Sequence, residues 1–162
     1  MASKRPDLAL RPSVLDRLLG EAGPAGGGSD PAGSVAATRA AVMRDLEWLF
    51  NTRRIYTGPG EGRPELERSV YRYGLSDLSS LGRDSSSAAH ELARDIAESI
   101  RFFEPRLSQV RVAIREPDDT GSRVVQFVVE AMLDIDPEPM PITFDTRLDV
   151  GRGTFEVEAD RV

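Results

Sequence analysis

The stretch Phe102-Phe103-Glu104-Pro105-Arg106-Leu107 places one carboxylate and one guanidinium on either side of a proline. Pro105 disfavours helical geometry at Glu104, so a helix arriving from the N-terminal side must end there. A glutamate at that point meets the negative end of the helix dipole, which is mildly unfavourable. Pro105 then fixes the chain direction, and Glu104 and Arg106 flank a stiff corner with opposite charges. Two uses of such a corner stay open. Either a local Glu104–Arg106 contact holds the turn, or the corner is a preformed polar hook whose arginine makes a bidentate contact with a partner.

Other chemistries find little support. His90 is the single histidine and lies near a helix start, with no carboxylates around it at ligand spacing, so we expect neither a metal centre nor a Ser-His-Asp triad. Cysteine is absent, which removes disulfides, thiolate ligands and cysteine nucleophiles. The glycine runs at 26–28 and 58–62 do not follow a strand and open a helix, as a phosphate loop must, and they read as linkers. A paired-carboxylate glycosidase is harder to dismiss, because 27 acidic residues always offer pairs. Glu98 and Glu104 lie near one helix end, but six positions apart they do not share a face. We therefore expect no catalytic residues and no cofactor.

The charge balance points the same way. Twenty-one basic against 27 acidic residues give −6, a field that repels phosphates rather than collecting them, so no nucleic-acid partner is expected. No apolar run approaches the roughly 20 residues that span a bilayer, and the N-terminal Met1–Ser13 lacks the apolar stretch of a secretory signal.

The elements that must position the corner follow from periodicity. At 162 residues the chain has room for one domain. Val14, Leu15, Leu18 and Leu19 fall on one side of a short helix near 13–19, with Ser13 as its cap. The Gly- and Pro-rich residues 20–33 behind it read as a leash, making 1–33 a flexible arm. A short amphipathic peptide on a leash cannot bury itself; it docks back on its own domain or waits for a partner. Residues 34–162 form the domain. Val42, Leu46, Leu49 and Phe50 predict a helix over 35–52 capped by Ser34, and a short helix starts at Pro64. Ala89, Leu92, Ile96, Ile100 and Phe103 predict the clearest helix, 85–103. Burying its four large side chains contributes ~6–12 kcal/mol as an upper estimate.

Past Pro105 the apolar period drops from 3.6 to 2. Val110, Val112 and Ile114 alternate with arginines; Val125 to Ile135 and Ile142 to Val150 alternate in turn, and Phe155, Val157 and Ala159 close the series. Four strands joined by turns predict an α+β fold: N-terminal helices on one face of a four-stranded, mainly antiparallel meander. Its last strand, 153–159, is either an edge blunted by Glu156 and Glu158 or a docking strand for another chain.

Several pieces, in order, resemble the TssE-like baseplate wedge subunit of type VI secretion systems, itself related to the small wedge protein of contractile phage tails. They are Pro12–Leu18, Asp45–Arg54, Tyr73–Asp77, Phe103–Leu107 and Phe144–Asp149 with its following turn. The resemblance implies a non-enzymatic subunit in the cytoplasm, at the baseplate on the inner face of the inner membrane. It implies that Glu104, Pro105 and Arg106 contact the wedge core of TssF and TssG, with TssK nearby. It further implies that the sheet templates the first sheath ring of TssB–TssC by strand pairing. The equivalent subunit of a phage tail is the alternative. A peptidoglycan hydrolase, suggested by the family's historical lysozyme-like label, is the more distant one. Replacing Glu104 and Arg106 by alanine is then expected to leave circular dichroism and melting nearly unchanged while weakening co-purification with TssF–TssG.

Overall fold

The computed structural model describes residues 31–54, 64–67, 69–77, 85–115, 124–135 and 138–159. The amphipathic segment near 13–19 lies outside them. Helix α1 spans Pro31–Asn51, α2 spans Pro64–Glu67, a 3-10 turn covers Val70–Arg72, and α3 spans Ser85–Phe103. Strands β1 (Leu107–Arg115), β2 (Val124–Leu133), β3 (Met140–Asp149) and β4 (Thr154–Ala159) follow without an intervening helix. They form one antiparallel sheet in the order β1-β2-β3-β4. The α+β meander expected from the change of period is the architecture observed.

Helix α1 begins four residues before the expected 35, because proline is favourable at a first helical position. Ser34 therefore sits within the helix rather than capping it. The expected helix from Pro64 splits into one turn of α-helix and one 3-10 turn before Gly74.

The core lies between the helices and one face of the sheet. Val42, Leu46, Leu49 and Phe50 of α1 and Leu92, Ile96 and Ile100 of α3 meet Phe127, Val129, Phe144, Leu148 and Phe155, all buried. Helix α3 packs over β1 and α1 over β4, so the two helices bracket the sheet. The other face, which no described helix covers, carries Arg115 and Asp145, paired at 3.1 Å.

Two local features break the simple pattern. In β1, Leu107 and Val110 are both buried although three positions apart, because a bulge lies between Ser108 and Arg111. Gln109 takes φ 53° to make it. Between Arg54 and α3, Gly74 at φ 105° brings its backbone against Thr52; a Cβ there would stand 2.3 Å from the Thr52 carbonyl oxygen. That contact lets Arg53 and Leu75 form an isolated parallel bridge.

Candidate interaction site at the helix–strand corner

Helix α3 ends at Phe103, and the chain turns through Glu104 and Pro105 into β1. The Glu104 amide still donates to Ile100 O at 2.8 Å, and the Leu107 amide donates back to Glu104 O at 3.1 Å. The Asp134 amide donates to Arg106 O at 2.8 Å, which ties the corner to the end of β2. Backbone bonds on both sides therefore fix its shape before any side chain acts.

Glu104 is 4% exposed, a carboxylate held in the protein interior. Such a charge is costly to bury unless it is paired and hydrogen-bonded. Arg106 supplies the partner. Its Nε donates to Glu104 Oε1 at 2.6 Å and its Nη2 donates to Oε2, a two-pronged contact across the proline. The same Nη2 donates to Asp45 Oδ2 on α1 at 2.6 Å. One guanidinium thus joins the end of α3 to α1 through two carboxylates. Burial alone lowers the affinity of Arg106 for its proton, but hydrogen bonds and charge from Glu104 and then Asp45 outweigh it, and the net shift is upward.

The polar centre has an aromatic surround. The Tyr73 ring stands edge-on to Phe103 at 5.2 Å, and Phe103 lies 6.2 Å from Phe102. Burial raises the Tyr73 hydroxyl pKa above its ordinary value, with Asp45 and Glu104 adding to the rise. Arg44 pairs with Asp45 at 3.1 Å and lies over the Trp48 ring at 5.3 Å. Phe102 is 53% and Trp48 46% exposed, and Pro105 is also exposed at the apex.

Of the two readings of the corner, the geometry bears on the local one. The local Glu104–Arg106 contact is present, and what faces solvent is the proline with its aromatic neighbours rather than an unpaired hook. Asp45 is the member that spacing could not find, since it lies 61 positions from Arg106. Its only sequence signal was its place at the head of the Asp45–Arg54 piece. Arg54, just past the end of α1, is likewise committed to groups distant in sequence. It donates to Arg72 O (3.1 Å), Gly74 O (2.9 Å), Asp95 Oδ1 (3.0 Å) and Ser99 Oγ (3.1 Å). Asp95 also accepts from the Ser76 amide and hydroxyl, so the Tyr73–Asp77 piece is pinned to α3.

The terminal strand is partly shielded at its outer border. Asn51 Nδ2 donates to Phe155 O and Asn51 Oδ1 accepts from the Phe155 amide, both at 2.9 Å. A side-chain amide from α1 so takes the rung that a further strand would take.

Among the described residues no group of three or more His, Cys, Asp or Glu is placed to hold a metal ion. No helix among them is long and apolar enough to cross a membrane.

A solved structure titled "The baseplate complex from the type VI secretion system" contains a chain 18% identical, aligned over 80% of this chain and 99% of its own, with a TM-score of 0.48. No curated protein sequence matches. The profile of the family described as baseplate wedge protein gp25 matches residues 36–138, well over half of the chain and including most of α1, all of α3 and the Glu104–Arg106 corner. The chain belongs to the baseplate wedge protein gp25 family.

Proposed function

We propose that this chain is the wedge subunit of a type VI secretion baseplate and works as a scaffold without catalysis. It sits in the cytoplasm at the inner face of the inner membrane. It is gripped by the TssF–TssG core at Glu104, Pro105 and Arg106, neighbours TssK, and offers its sheet to TssB–TssC strands. The observation that carries the reading is the clamping of Arg106 between Glu104 and Asp45 beneath an exposed proline and Phe102. Such a corner loses little side-chain freedom on binding, and aromatic groups around a fixed arginine are the usual anchors of protein interfaces.

A hydrolase needs two carboxylates with room for a glycosidic bond and a water between them. The two acids brought together here are bridged by a guanidinium that fills that space. The same subunit in a contractile phage tail is the second reading, favoured by the family's description as a baseplate wedge protein. Flanking genes for TssF, TssG and TssK, or for tail and capsid proteins, decide between the two.

Co-purification with TssF–TssG tests the grip. Phe102→Ser removes an exposed ring without opening the core, so it should weaken capture at least about tenfold while melting stays put. Undiminished capture would remove the aromatic rim from the interface. For the sheath, deleting β4 is too blunt a test, because Phe155 and Val157 are core residues.

A further inference from the structure

We propose that the outward face of α1 around Trp48 is the seat of this chain's own N-terminal segment, residues 13–19. The face opposite the buried Val42, Leu46 and Leu49 should carry charge if it met only water. It does carry Arg44 and Glu47, but it also presents Ala37, Ala40 and Trp48, all exposed, and the Arg44 guanidinium lies over the indole. Among the described elements, α1 packs on β4 and α3 with its other side.

The length of chain before α1 argues for the occupant. The spacing of Val14, Leu15, Leu18 and Leu19 is that of one apolar stripe, and a peptide this short does not hold a helix in water without a surface to bury it against. Residues 20–30 separate it from Pro31, and eleven residues of this Gly-rich composition span about 17–20 Å on average. Seven residues wound as a helix would add roughly 10 Å, and Trp48 lies about 25 Å along α1 from Pro31. The stripe therefore reaches the indole without stretching the leash. A tether of this length holds it there at millimolar effective concentration, ahead of any dilute competitor. The inference concerns the isolated chain and does not rest on the wedge reading.

Trp48 is the single tryptophan, so its fluorescence reports on this face alone. Acrylamide quenching of the full chain is compared with Leu15→Asp/Leu18→Asp, and with Ala40→Glu on the facing surface. Each variant should raise the quenching constant about twofold or more and shift emission to the red, and the wild-type protection should not change with protein concentration. Circular dichroism and melting identify any variant that fails to fold; the two substitution sites lie on opposite partners, so agreement between them excludes a folding artefact. Equal quenching in wild type and both variants would overturn the proposal. Protection that fades on dilution would overturn it too, by assigning the face to a second copy.

Discussion

Asp45 and Arg106 are joined at 2.6 Å across 61 positions of sequence, and this ion pair fastens α1 to the corner that follows α3. Glu104 completes the arrangement from the interior side. The three groups are unequal. Glu104→Ala leaves a partly buried guanidinium short of its main partner and should cost about 2–3 kcal/mol, lowering the melting temperature by about 5–10 °C. Asp45→Ala removes a partner from a more accessible position and should cost about 1 kcal/mol or less. Thermal melts of both variants check the order. This revises the expectation that alanine at Glu104 and Arg106 leaves melting unchanged: an interior carboxylate cannot be a surface contact alone.

Gly74 carries a second dependence. At φ 105°, with the Thr52 carbonyl where a Cβ would go, Gly74→Ala must displace backbone. The expected loss is about 2–4 kcal/mol in chemical denaturation, with the Arg53–Leu75 bridge and the Arg54 contacts loosened together.

Thr146 offers a change in the opposite direction. It is buried on the core face of β3, and its hydroxyl oxygen finds no hydrogen-bond partner among the described residues. Thr146→Val keeps the shape and removes the orphaned group, and should stabilise the protein by about 1 kcal/mol. An unchanged or lower denaturation midpoint would count against that environment.

Tyr73 sets an alkaline limit. Its hydroxyl holds its proton above the ordinary pKa of 10.0 because burial, then Asp45 and Glu104, oppose a phenolate. The unfolded chain therefore releases this proton first as pH rises. The contribution of Tyr73 to stability is complete below pH 10 and is lost as pH climbs through the folded value. Denaturation midpoints measured from pH 9 upward should fall, and fall less steeply in Tyr73→Phe.

The sequence made the layers of this protein readable and left its couplings hidden, for a physical reason. Helix α3 and the four strands follow from where Leu92, Ile96, Phe127, Phe144 and Leu148 recur, because burial of one face imposes a period. The Glu104-Pro105-Arg106 corner was legible since proline acts on its immediate neighbours. Asp45 was not, because a contact across 61 positions leaves no local trace. The same holds for Arg54 with Asp95 and for Asn51 with Phe155. The bulge at Gln109 shows only as a slip between Leu107 and Val110, and the start of α1 at Pro31 was masked by the surrounding glycines.

Hydrogen exchange of the chain alone and bound to purified TssF–TssG tests the central claim most directly. If the corner is the part that is gripped, amides of 100–108 and of 44–49 should exchange at least tenfold more slowly in the complex, while the polar face of β2 and β3 is unaffected. Binding that leaves both stretches at their free rates and protects another surface would contradict the account.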